Sequence, residues 1–171
     1  SATPAAAPAV ARAVQFSVLG EAPSTAARTV TMTLSDGDGG ISASPSKSIL
    51  VSAVNDLPAI TSLGGGASAA LAVAEGTTLA TTVVASDPDG TGQTLTYSIV
   101  PTASGGAADA SRFSIYPVTG ALSFVVSPDF EAPIDAGGDN VYDVTVKVDD
   151  GAGGADTQVI AITVTNVNEA G

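Results

Sequence analysis

The 171-residue chain contains no cysteine, no histidine and no tryptophan. Without cysteine there is no disulfide to staple the fold and no thiolate ligand. Without histidine the Ser-His-Asp triad, the usual zinc ligands and the commonest general base are all excluded. Aromatic residues are scarce at 4%, four Phe and three Tyr. Positive charge is scarce too: five Lys and Arg stand against 17 Asp and Glu, a net charge of −12. Such a surface repels phosphate backbones and anionic lipid heads, which argues against nucleic acid and membrane surfaces as partners. No apolar run approaches the roughly 18 residues of a membrane-spanning helix. The opening Ser1-Ala-Thr-Pro-Ala-Ala-Ala-Pro8 lacks the basic start and apolar core of a signal peptide, and the chain reads as a piece of something longer.

Apolar residues are plentiful at 44%, enough for a sizeable core. Much of that share is Ala, so the core is expected from Val, Ile, Leu and the few Phe and Tyr. Thirteen of the acids are Asp and four are Glu. Asp favours loops and is a common calcium ligand. The plain alternative is a solvated acidic surface. The grouping of these Asp residues in turn motifs weighs against it.

Residues 1–13 are Ala- and Pro-rich and read as a flexible or weakly extended lead. Alternating, β-branched stretches predict strands over 14–18, 29–34, 48–54, 59–61, 69–75, 79–85, 94–100, 142–148 and 157–165. Residues 113–116 and 121–125 predict a hairpin around Pro117-Val-Thr-Gly120. Gly and Asp mark the turns, as in Asp36-Gly-Asp-Gly-Gly40, Asp87-Pro-Asp-Gly90 and Asp149-Asp-Gly-Ala-Gly-Gly154. No window has helical periodicity beyond a short turn near 107–111. Short strands separated by turns predict an all-β chain, an antiparallel Greek-key β-sandwich of about seven strands.

The two ends of the chain echo each other. Thr29–Gly40 matches Asp143–Gly154, and each is followed by a strand and then Val-Asn, at Val54-Asn55 and Val167-Asn168. The offset is 114 residues from Asp36 to Asp150 and 113 from Asn55 to Asn168. That is a tandem repeat of roughly 110 residues. It predicts three segments: the lead over 1–13, the C-terminal half of one repeat over 14–56, and a complete repeat over 57–169. The half-repeat lacks opening strands, so its sheet edges are expected to be unsatisfied and open to a partner chain, a route to a dimer.

Calcium takes about six to eight hard oxygen ligands. One turn cannot supply them, whereas several loops at one end of a sandwich can. In the complete repeat the acids and amides run Asn55-Asp56, Glu75, Asp87-x-Asp89, Asp129-x-Glu131, Asp149-Asp150, then Asn168-Glu169. Taken singly each has a plain reading. Asp87-Pro-Asp-Gly makes a good turn, Glu75 a solvated strand end, and Asp36 and Asp38 serve as turn formers.

In this order the motifs resemble the cadherin repeat, in the bacterial cadherin-like form of large surface adhesins and RTX-type proteins. Asp87-Pro-Asp89 is similar to the family's Asp-x-Asp, Pro128-Asp-Phe-Glu131 to its Asp-Arg-Glu type, and Val54-Asn-Asp-Leu-Pro58 to its linker. The likeness covers 57–169 throughout and 28–56 as the tail of a preceding repeat. The exit, Asn166-Val-Asn-Glu-Ala170, departs from it with Glu169 in place of Asp and no Pro. The resemblance implies Ca2+ between repeats. At the leading pole, where the chain comes in, Asn55, Asp56, Asp87, Asp89, Asp149 and Asp150 would gather. In the alignment Asp150 is the motif residue and Asp149 the extra one. At the trailing pole Glu75, Asp129, Glu131 and Asn168 would gather. The leading pole is expected to be the more complete site.

Two other calcium signatures fail. An EF-hand counted from Asp87 would need Glu where Ser98 stands, and the Gly-rich nonapeptide of β-rolls does not recur. The resemblance implies a calcium-binding module of a bacterial surface or secreted adhesin, extracellular or on the cell surface, that mediates adhesion or stiffens a repeat rod. Its partners would be neighbouring repeats of the same chain, a second copy, another cell surface or a polysaccharide. The alternative is a carbohydrate-binding β-sandwich, which Tyr116 could serve; Tyr97 and Tyr142 fit core positions better. An enzyme is not expected, since Asp129 and Glu131 stand two apart, too close for an acid and base acting across a scissile bond.

Overall fold

The computed structural model describes residues 24–33, 35, 38–90 and 93–168. The predicted strand over 14–18 and the turn acid Asp36 lie outside them. The chain divides into two compact units, Ser1–Val54 and Asn55–Gly171.

In the first unit, β1 (Arg28–Thr31) pairs antiparallel with β2 (Ser46–Ile49), Arg28 opposite Ile49. A bridge between Ser35 and Ile41 continues the pairing toward the turn. The second strand starts and ends earlier than its β-branched run suggests. The run 48–54 promised a strand to Val54, but pairing with β1 stops at Ile49, and Leu50 and Val54 are left exposed.

The second unit is a sandwich built from β3 (Ala59–Ile60), β4 (Ser68–Ala74), β5 (Leu79–Thr82), β6 (Ala85–Ser86), β7 (Thr96–Ile99), β8 (Phe113–Ile115), β9 (Ala121–Phe124), β10 (Val141–Asp149) and β11 (Ala155–Thr165). One sheet has the order β4-β11-β10-β7, with β4 parallel to β11 and the other pairs antiparallel. The facing side has β5-β9-β8 and the short pair β3-β6. The stretch 79–85, expected as one strand, is two. Residues 79–82 pair with β9 and 85–86 with β3, so the chain changes partners at Val83 and Val84. The helical turn expected near 107–111 appears as a single 3-10 turn over Ala110–Arg112.

Alternation along β10 and β11 puts Tyr142, Val144, Val146, Val148, Ile160, Ile162 and Val164 between the sheets, against Leu122, Phe124 and Phe113. Phe113 and Phe124 lie 4.6 Å apart between centroids, and Tyr142 meets Phe124 edge-on at 5.3 Å. The two buried tyrosine hydroxyls are satisfied, Tyr97 by the N–H of Ala85 and Tyr142 by that of Ile134, each at 3.1 Å. Alternation fails once, at Thr145, which is buried on the outer face. There its hydroxyl accepts the Ala107 N–H at 3.0 Å, as the loop after β7 folds over the sheet.

Strand direction places the sites. β11 is 11 residues long, roughly 35 Å at strand rise, so its two ends belong to opposite poles of the sandwich. The Asp149-Asp150 turn precedes it and Asn166–Asn168 follow it.

Candidate metal centres

At the leading pole three loops converge. Asn55 and Asp56 precede β3, Asp87 and Asp89 follow β6, and Asp150 sits in the turn from β10 to β11. The Asn55 amide donates to Asp150 Oδ2 at 2.8 Å, and the Asp56 N–H donates to Asp89 Oδ2 at 2.8 Å. Asp150 is nearly buried, and its Oδ1 accepts the N–H groups of Ala152 at 2.7 Å and Gly154 at 2.8 Å. The Asn55 bond and these N–H groups hold its carboxyl below the usual carboxylate range, against burial that pushes it up. Gly154 is required here, because a Cβ would lie 2.1 Å from Asp150 Oδ2. Asp87 Oδ1 accepts the Asp89 N–H at 2.8 Å, the turn-forming bond of an Asx turn. Its Oδ2 is buried with no hydrogen-bond partner. A buried carboxylate oxygen without a donor is costly, and a cation removes that cost. This orphaned oxygen, in the loop that also carries Asp89, fits an oxygen-seeking ion such as Ca2+.

Asp149 is drawn elsewhere. Lys147, two residues earlier on the same face of β10, donates to Asp149 Oδ2 at 2.8 Å, and Gly151 N–H donates to Oδ1 at 2.9 Å. The Lys147 bond is the main reason its carboxyl lies below the usual range.

At the trailing pole Glu75, Asp129 and Glu131 each place one carboxylate oxygen within 4.8 Å of the others. Among the described residues this is where three carboxylates meet so closely. Glu75 follows β4, whose parallel register with β11 sets it beside the exit. Its Oε1 accepts the Val167 N–H at 2.6 Å and its Oε2 the Phe130 N–H at 2.8 Å. Those two N–H groups depress its carboxyl below the ordinary value despite burial. Asp129 Oδ1 accepts the N–H groups of Glu131 at 3.0 Å and Ala132 at 3.1 Å, again an Asx turn. The Asn166 amide donates to Glu131. Asn168 is exposed in the chain leaving β11.

Sequence reasoning passed over Gln93 and Asn166. Gln93 donates to Asn55 Oδ1 at 2.6 Å and to Asp89 Oδ2 at 3.1 Å, inside the leading-pole network. A neutral amide four residues after Asp89 has no charge pattern to betray it. Other acids prove to be backbone anchors. Asp109 accepts the N–H groups of Ala136 at 2.7 Å and Asp143 at 3.0 Å, and Asp156 accepts that of Ile60 at 2.8 Å. The tyrosines divide as expected: Tyr97 and Tyr142 are buried and Tyr116 is 60% exposed. An open cleft of about 520 Å³ is lined by Ile99, Pro101, Thr102, Ala110, Ser111 and Phe113, away from either carboxylate group.

A family model described as a bacterial Ig domain matches residues 55–163, starting at the residue where the second unit begins. Solved structures with a similar fold include protocadherin gammaB7 EC3-6, in a structure described as a cis-dimer (24% identity, 81% of this chain and 33% of that one, TM-score 0.57). Human CDH23 EC21-23 is similar at 21% identity over 81% of this chain and 43% of that one, TM-score 0.57. Mouse cadherin-23 EC22-24 is similar at 21% identity over 84% and 43%, TM-score 0.51. The chain therefore spans less than half the length of these solved chains, and at such identities the likeness is one of fold. No curated protein matches.

Proposed function

The chain belongs to the bacterial Ig domain family, with a cadherin-like fold, and from that premise we propose that it is a calcium-binding module of an extracellular bacterial adhesin, which stiffens a rod of repeats. The observation that carries this reading is the convergence of Glu75, Asp129 and Glu131, three carboxylates with oxygens within 4.8 Å of one another at one end of the sandwich. The orphaned Asp87 Oδ2 at the other end supports it. Asn55, Asp56, Asp87, Asp89 and Asp150 would hold the ion at the leading pole, and Glu75, Asp129, Glu131 and Asn168 at the trailing pole. Asp149 would stay outside, paired with Lys147.

Bound calcium supplies positive charge that cancels carboxylate repulsion in each group. The chain's own residues convert that into stiffness. Asn55 and Asp56 are bonded to Asp150 and Asp89, and Val167 to Glu75. Charge neutralisation at those acids fastens the segments that enter and leave the sandwich. Burial of Tyr97 and Tyr142 leaves the carbohydrate reading a single exposed Tyr, number 116.

Titrating chelated protein with calcium tests the reading by calorimetry and melting. An ion at about 100 times its Kd adds about 2.7 kcal/mol per site, so a rise of several degrees in Tm is expected at millimolar calcium. Asp87→Ala should remove one class of site and Asp129→Ala the other. No binding heat and no Tm shift in the wild type would sink the proposal.

A further inference from the structure

We propose that Gln93 is a resident stand-in for the cation at the leading pole, its side-chain amide bridging the acceptors that the ion would otherwise bridge, so that its displacement sets the affinity of that site. This rests on the calcium reading above. Gln93 Nε2 lies between two oxygens from different loops, 2.6 Å from Asn55 Oδ1 and 3.1 Å from Asp89 Oδ2. Both belong to the residues assigned to the ion. The rest of the network meets the same two residues. Asp89 Oδ2 also accepts the Asp56 N–H at 2.8 Å, and Asn55 turns its own amide nitrogen to Asp150 Oδ2 at 2.8 Å.

The orientation of the Gln93 amide follows from its neighbours. Turned over, it would set Oε1 against two other acceptors, Asn55 Oδ1 and Asp89 Oδ2. The present orientation gives those oxygens an N–H donor and leaves Gln93 Oε1 itself buried without a partner. One end of the amide is thus unsatisfied while the other bridges two loops. Lys147 is committed to Asp149. A neutral donor holds acceptors together less strongly than a doubly charged ion, so it can be displaced, but it must first give up its two bonds. Gln93 is therefore a competitor of the ion and a brace of the ion-free state.

The test uses the chain with Asp129→Ala, so that the leading pole titrates alone, with and without Gln93→Met. Methionine keeps the length of the side chain and removes the amide. The expected result is calcium affinity tightened about tenfold, the equivalent of one or two hydrogen bonds no longer lost on binding. The melting temperature in chelator should fall by a few degrees in the same variant. Affinity that is unchanged or weakened overturns the proposal; weakening would make Gln93 a ligand through Oε1. An unchanged Tm in chelator overturns it as well. If chains with and without Gln93→Met both give no binding heat, the calcium reading has failed and the stand-in with it, a result distinct from binding that Gln93→Met leaves unaltered.

Discussion

The two poles of the second unit use similar residues in different ways. At the leading pole Asp89 and Asp150 are already engaged by neutral donors, while Asp87 Oδ2 has none. Asn55 bonds Asp150, Gln93 bonds Asp89, and the Asp56 N–H bonds Asp89 as well. At the trailing pole Glu75, Asp129 and Glu131 close to within 4.8 Å of one another, with backbone N–H groups and one Asn amide as their donors. The first pole is braced without an ion and the second brings charge together. The motif order favours the leading pole as the more complete site, whereas the close group of three carboxylates lies at the trailing pole. The order counts acids per pole. It carries no information on which oxygens are already occupied.

The largest effect expected is one that ignores the difference. Leu122 is fully buried between the sheets, and Leu122→Ala should cost about 2–5 kcal/mol in denaturant unfolding. Both poles stand on this core, so the ratio of their calcium affinities should not change. If one site were lost alone, the poles would be less dependent on the shared sandwich than their strands imply.

Gly154→Ala should separate the poles. The added Cβ would lie 2.1 Å from Asp150 Oδ2 and 3.0 Å from Pro58 Cδ. Asp150 cannot swing aside without losing Asn55, so overpacking of about 1–3 kcal/mol is expected. Calcium binding at the leading pole should weaken while the trailing pole titrates as before. Equal weakening at both would mean that Gly154 acts through global stability.

Acid should reveal a further carboxyl, Asp135, in the loop before β10 and outside both carboxylate groups. Burial pushes the Asp135 carboxyl up, but the N–H groups of Asp139, Asn140 and Gly138 together hold it below the usual range. A carboxyl depressed in the folded state contributes stability above its unfolded pKa, and that contribution is lost as the pH falls through the folded value. Melting in chelator should therefore decline below about pH 4. Asp135→Asn should be less stable at neutral pH and show a shallower acid decline. An acid limb identical to wild type would remove Asp135 from the account.

The smallest effect belongs to Lys147. Its pair with Asp149 is about two-fifths exposed on each side, and such pairs contribute at most about 1 kcal/mol. Lys147→Ala should shift unfolding by less than about 0.5 kcal/mol and calcium affinity by less than about twofold. A large gain in affinity would show Asp149 turning inward as a ligand once released.

Much of the fold is legible along the chain. Val-rich alternation in 142–148 and 157–165 marks the two long central strands, because period two with one apolar face has a single solution in a sandwich. The break at Val83 and Val84 was not legible. Both halves of that run are β-formers, and only competition between β9 and β3 for edge pairing decides where it divides. At the poles the acid-bearing turns were legible, since each Asp that supports a turn uses one oxygen on the backbone. Which acid keeps a spare oxygen was not.

By itself, then, the amino-acid order determined a histidine-free, cysteine-free, acidic β-sandwich, and it determined which turns carry acids, because strand alternation and turn chemistry are local. The repeat alignment already singles out Asp150 over Asp149, and the resemblance already groups Glu75 with Asp129 and Glu131; tertiary structure alone decided which of their oxygens are already hydrogen-bonded and that Gln93 lies between Asn55 and Asp89. Each of these depends on loops distant in sequence arriving at one pole. Their meeting is set by the register of β10, β11 and β4, which no local pattern encodes.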